Sequence, residues 1–242
     1  DAERFATHLA RTLGLERFHL MDAYEDAWYY LWRERRLPTN VDPFDSRLDD
    51  PIERARLTRV FDQGLAHLVG WALPLEHVGH WRTGDWFLRT ERCYLMPGDS
   101  PMGFRLPLDS VPWVSDVSRL YGHELDPYVE RPPLPREFDF SRGARTGVGA
   151  PRMQVRDAAG RGTGAGAHAL GHGRSDLRGD PFRRPAAHES ATGVVRTALC
   201  VEPRGGQLKV FLPPLFTLEA WVELIAAIDQ TAGDLSLPVQ LE

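Results

Sequence analysis

Two carboxylates stand where chemistry can gather. Glu202 closes one apolar run and Glu242 closes another. Acids at the ends of neighbouring strands can share a divalent cation, because hard oxygen ligands suit Mg²⁺ and Ca²⁺. Other motifs fail on their surroundings. Gly98-Asp99-Ser100-Pro101-Met102-Gly103 imitates a nucleophile elbow, yet the oxyanion hole of an elbow needs the N–H of the residue after the serine. Here that residue is Pro101, which has none. The spacing predicts a tight turn in which Asp99 or Ser100 bonds the backbone. Gly160, Gly162, Gly164 and Gly166 imitate a phosphate-cradling loop, but no strand leads in and no helix leads out. His77/His80 and His168/His172 are paired without a third ligand near in sequence, so surface or turn positions are expected. Tyr24, Trp28 and Trp32 share one helical face and are expected in a core. Arg33, Arg35 and Arg36 then sit at that helix's negative end.

Composition narrows the chemistry further. Of 29 basic residues, 28 are arginine, and Lys209 is the only lysine. A lysine-dependent step therefore has one candidate. The arginine excess matches what a genome rich in G and C encodes. Net charge is −5, which gives no support to general nucleic-acid binding. No run of about 20 apolar residues is present, so no membrane-spanning helix is expected. Cys93 and Cys200 match no metal-ligand or redox spacing. They point to a reducing compartment, the cytoplasm.

Charge divides the 242 residues into three. Residues 1–140 hold 24 acids and 17 bases, and form an α+β amino-terminal region. Residues 141–192 hold 4 acids, 9 bases, ten glycines and one aromatic, Phe182. Such a stretch cannot bury enough apolar surface to offset its ordering entropy, which predicts a flexible Gly/Arg-rich linker or insertion. Residues 193–242 hold 6 acids and 3 bases and start a second unit.

The elements that must position these residues follow from periodicity. Phe5, Leu9 and Leu13 predict a helix over 3–13. A second helix is expected over 22–36, ending before Pro38. A third starts at Asp50-Pro51, with Leu57, Val60, Phe61 and Leu65 as its stripe. The run 69–75 is apolar, and 86–89 with 92–96 look like a hairpin around Thr90-Glu91. Residues 98–135 show no regular period. Later, 194–201 and 207–212 flank Pro203-Arg204-Gly205-Gly206 as another hairpin. A helix over 217–232 and a strand from Pro238 follow. The fold class is α+β: a helical amino-terminal segment plus short antiparallel strands, the flexible Gly/Arg-rich linker, then a hairpin, helix and strand.

Several stretches together are more specific than any single motif. They include Tyr24-Glu25-Asp26-Ala27-Trp28-Tyr29-Tyr30-Leu31-Trp32-Arg33-Glu34-Arg35-Arg36-Leu37-Pro38 and Asn40-Val41-Asp42-Pro43. Others are Pro97-Gly98-Asp99-Ser100-Pro101-Met102-Gly103-Phe104-Arg105-Leu106-Pro107-Leu108-Asp109-Ser110 and Val195-Arg196-Thr197-Ala198-Leu199-Cys200-Val201-Glu202-Pro203-Arg204. On these the chain resembles an uncharacterised bacterial amidoligase family, often fused to an upstream transglutaminase-like domain. The resemblance implies a glutamine-synthetase-like sheet, beginning at the hairpin, helix and strand of 193–242. It implies an ATP-dependent carboxylate–amine ligase acting on peptide or amino-acid carboxylates, with Mg²⁺ clamping the transferred phosphoryl group. Glu202 and Glu242 would be early metal carboxylates, and Arg105 and Arg196 would meet substrate carboxylate or phosphate. The family's remaining motifs would lie beyond Glu242, so an amino-terminal part, incomplete alone, is expected. The alternative is a non-catalytic module that positions a transglutaminase-like domain or a peptide substrate.

Overall fold

A computed structural model of the chain describes residues 1–26, 67–88, 92–98, 100–115, 128, 133–135, 137–140 and 179–242. The fold is mixed α+β. The first helix, α1, spans Ala2–Thr12, close to the expected bounds. Ala2, Phe5, Ala6, Leu9 and Ala10 form its buried stripe, and Gly14, at φ 76°, turns the chain away.

The next element departs from expectation. Met21–Glu25 is a strand, β1, not the start of a helix over 22–36. Met21, Ala23 and Glu25 are buried while Asp22 is exposed, a two-residue alternation. Helical spacing of Tyr24 with later aromatics was real in the sequence, but pairing with two strands on either side overrides it. The rest of that helix, and the third one, fall outside the described residues.

Six further strands come next along the chain. They are β2 (Leu68–Pro74), β3 (Glu76–His77), β4 (Trp81–Arg82), β5 (Cys93–Pro97), β6 (Phe104–Arg105) and β7 (Ala198–Arg204). Then come β8 (Gln207–Phe211), helix α2 (Leu218–Leu235) and β9 (Val239–Leu241). The seven-stranded sheet has the order β6-β5-β1-β2-β7-β8-β9, and β3-β4 stands apart as a small hairpin. β1–β5 and β8–β9 are parallel, and the other neighbours in the large sheet are antiparallel.

The hairpin expected around Thr90-Glu91 does not form. β5 pairs with β1 and β6, and residues 86–88 join no ladder. Trp86 is instead drawn into the core, its Nε1–H donating to the Val195 carbonyl at 2.8 Å. Phe87 sits at φ 45°, a left-handed conformation that a regular strand excludes. The later hairpin forms as expected, turning at Gly205 and Gly206 with φ of 60° and 78°. Thr217 caps α2, its Oγ1 accepting from the Ala220 N–H at 3.3 Å. Ser236 closes the helix in the left-handed region.

β2 pairs with β7, so one sheet contains strands from both ends of the chain. Of the segment expected as linker, 141–178 lies outside the described residues. Residues 179–192 carry turns and are tied down at several points. Arg82 Nη2 donates to the Gly179 carbonyl at 2.6 Å, and the Ala191 N–H donates to the Trp113 carbonyl at 2.8 Å.

Alternation along the strands gives the sheet two unlike faces. Leu73, Leu199, Val201, Leu208 and Val210 pack against α1 and α2. Met21, Ala23, Ala72, Cys93, Leu95 and Cys200 point the other way, under Trp86, Met102, Phe104 and Val111.

Candidate functional site

The second face changes character along β7. Cys200, Glu202 and Arg204 alternate with the core residues Leu199 and Val201, so all three share that face. Glu202 is 7% exposed, and a charge so buried needs a partner. Arg204 supplies it through a fork. Its Nε donates to one Glu202 carboxylate oxygen at 3.1 Å and its Nη2 to the other at 2.5 Å. The same guanidinium donates to the carbonyls of Pro101 at 3.2 Å and Met102 at 3.0 Å. It also lies 5.7 Å from the centre of the Phe211 ring. Arg204 thus ties the carboxylate on β7 to the turn between β5 and β6. Its own proton is held more tightly than usual, chiefly by the hydrogen bond to Glu202.

Register continues the row across the sheet. Glu202 stands opposite Lys209 on β8, and Lys209 stands opposite Gln240 on β9. Lys209 Nζ donates to Glu242 Oε1 at 2.9 Å, and Gln240 Nε2 donates to the same oxygen at 3.1 Å. The structure therefore brings Glu202 and Glu242 to one region of one sheet, with Lys209 between them. On the other side of Glu202 the strand position belongs to Gly70. A Cβ there would meet the Val201 carbonyl oxygen at 2.6 Å and the Glu202 Cβ at 3.5 Å. Glycine lets β2 approach β7, and a small cleft lies beside it, lined by Ala23, Gly70, Leu95, Met102 and Glu202.

The two arginines named from the resemblance lie elsewhere. Arg105, on β6, runs its side chain over Gly98, where an added Cβ would come within 2.7 Å of Nε. It belongs to the same hairpin whose turn Arg204 grips. Arg196 precedes β7 and donates to the Pro112 carbonyl, which joins two connecting segments. The turn itself matches expectation: Ser100 Oγ donates to the Phe104 carbonyl at 2.6 Å, and the Gly103 N–H to the Ser100 carbonyl at 2.7 Å. His77 packs edge-on against Trp81 at 4.9 Å between ring centroids. Burial, then His80, hold its pKa below the ordinary value. His168 and His172 are outside the described residues.

Sequence reasoning missed Arg204 and undervalued Lys209. A signal existed for the first: Glu202 and Arg204 are two apart on a strand, which puts them on one face. The carbonyl partners of Arg204 lie about a hundred positions away and left no such trace.

A divalent metal fits these residues poorly. Glu202 is engaged by Arg204 and Glu242 by Lys209, and among the described residues no three His, Cys, Asp or Glu side chains converge. The thiols are no better suited. Burial pushes Cys93 up to about 12, and pushes Cys200 up as well, with Cys93 and Glu202 adding to the second shift. Both stay as thiols at neutral pH.

An α+β sheet with one apolar face and one carrying a row of paired charges defines a class without fixing an activity. The chain belongs to the family described as "Putative amidoligase enzyme (DUF2126)", whose model matches residues 1–242. Membership supports a ligase-like function. Neither a search of curated proteins nor a search of solved structures finds a match. Among the described residues, no helix is long and apolar enough to cross a membrane.

Proposed function

We propose that the chain holds part of the site of an ATP-dependent carboxylate–amine ligase acting on peptide or amino-acid carboxylates. In that reaction a substrate carboxylate oxygen attacks the terminal phosphorus of ATP and ADP leaves. An amine then attacks the acyl carbon, phosphate leaves, and the amine gives up a proton as the amide forms. Each stage concentrates negative charge on oxygen, so fixed cations with few alternatives in water contribute most. The observation that carries the reading is the row Glu202–Lys209–Glu242, closed by Arg204, on one sheet face. Lys209 has three donors, and among the described residues one of them goes to Glu242. Arg105, in the hairpin whose turn Arg204 grips, and Arg196, which bonds the Pro112 carbonyl, stand as candidates for a substrate carboxylate through the family resemblance alone.

Mg²⁺ remains part of the proposed cofactor pair through the family resemblance alone. Because the carboxylates are engaged, the steps above are assigned to the chain's own cations. The test is amine-dependent release of ADP from ATP, screened over amine and carboxylate pairs. Lys209→Met should lower the rate by roughly a hundredfold, the scale of losing one charge-stabilising group. No amine-dependent turnover with any pair would remove the reading.

A second reading has its own support. Every charge of the row already has a partner, as in a structural network, which suits a non-catalytic module positioning a transglutaminase-like domain or a peptide. That module would bind the partner in a pull-down, while calorimetry with ATP and Mg²⁺ gave no heat.

A further inference from the structure

Helix α2 carries two apolar stripes where one suffices to pack it. The inner stripe, Ala220, Leu224, Ala227, Ile228 and Thr231, is buried against the sheet and α1. The outer stripe is Leu218, Trp221, Val222 and Ile225, spaced i, i+3, i+4 and i+7. A surface helix ordinarily places polar residues there. Leu218 is 52% exposed and Trp221 46%, and Phe216, just before the helix, is 71% exposed. Phe216 and Trp221 occupy the positions of a hydrophobic staple around Thr217, an arrangement that buries its two members against each other. Exposure this large shows that the staple does not account for them. Single exposed apolar residues need no explanation, but a contiguous group over more than a helical turn marks a contact surface.

Charge says what kind of partner fits. Residues 210–242 hold five acids and no Lys, Arg or His. Glu219 borders the stripe on one side, and Asp229 follows its last turn. A second copy in a symmetric pair would set these acids against their own kind, which costs specificity and affinity. We propose that the outer face of α2 docks an amphipathic helix of a partner protein, with an apolar ridge bordered by Arg or Lys. The ridge seats along Leu218, Trp221 and Ile225, and the basic border meets Glu219 and Asp229. This surface lies on the helix-covered side of the sheet, away from Glu202, so it stands independently of the ligase reading.

Two fluorescein-labelled synthetic helices, each about five turns long, test it by anisotropy. Both carry the same Leu ridge, one bordered by Arg and the other by Glu. The basic helix is expected to bind at least about tenfold more tightly at low salt, with the advantage shrinking as ionic strength rises. Leu218→Ser/Trp221→Ser should weaken that binding about tenfold or more while circular dichroism stays unchanged. Equal binding of the two helices, binding of neither, or full binding by the double variant would each overturn the proposal. So would a dimer in analytical ultracentrifugation that the double variant dissolves, since the face would then belong to a second copy.

Discussion

On one face of the sheet, Leu73, Leu199, Val201 and Val210 meet Phe5 and Leu9 of α1 and Leu224 and Ile228 of α2, every one at most 2% exposed. On the other face the same strands carry Ala72, Cys200, Glu202 and Lys209, and the cover comes from irregular segments. The first face is joined by area and shape, which are non-directional and tolerant of small shifts. The second has an apolar cluster of its own and adds to it forks and point contacts whose distances must be met, such as Arg204 to Glu202 at 2.5 Å. A region held this way can present charge to a ligand, which a packed apolar layer cannot.

If that contrast holds, truncation hurts most on the helix-covered face. Leu224→Ala should cost about 2–5 kcal/mol, because the surrounding core relaxes only partly around the lost side chain. Urea denaturation checks it, and a loss below 1 kcal/mol, about half the smallest value expected for such a truncation, would show that α2 is loosely seated. On the charged face, Arg204→Ala should cost roughly 1–3 kcal/mol by leaving Glu202 buried without its fork, discounted because the arginine side chain is 39% exposed. Arg204→Lys keeps the charge and should recover less than half of that, since an ammonium cannot reach both carboxylate oxygens and two carbonyls. Full recovery by lysine would mean that charge alone holds the turn.

The thiols sharpen the comparison chemically. Cys93 and Cys200 should resist iodoacetamide at pH 8 in the folded protein and react once it is unfolded. Ready labelling of the native chain would show the second face to be open. The sign for stability follows. Cys93 is raised from 9.0 to about 12, so its contribution is complete below pH 9 and is lost as pH climbs towards 12. A smaller effect belongs to Glu223 on α2, whose carboxyl is pushed up chiefly by burial. Ionising it opposes folding, so Glu223→Gln should raise the melting temperature slightly at pH 7 and change nothing at pH 4. A drop at pH 7 would contradict that sign.

Elements with local signals were legible in the chain. The stripe of α1, the Gly205-Gly206 turn, the Thr217 cap and the run of α2 are decided by neighbours in sequence. β1 was not, because Tyr24 fits a helical spacing and a strand equally well until β2 and β5 are in place. Residues 86–88 looked like half a hairpin, yet Trp86 answers to Val195, 109 positions away. The candidate site divides likewise. Glu202 and Glu242 were recognisable as strand-end acids, and Glu202 with Arg204 as a same-face pair. Their neutralisation by Arg204 and Lys209 was not recognisable.

The sequence by itself determined an α+β chain, one available lysine, a carboxylate at each of two strand ends, and membership of an amidoligase family. Only the tertiary structure decided that β2 and β7 are neighbours, that the backbone of β7 beside Glu202 comes so close to residue 70 that only glycine fits, and that Arg204 reaches the turn at Pro101 and Met102. Helix stripes and turns are set by side chains a few positions apart. Strand order and buried ion pairs depend on groups far apart in sequence, and nothing local encodes which of the alternatives will meet.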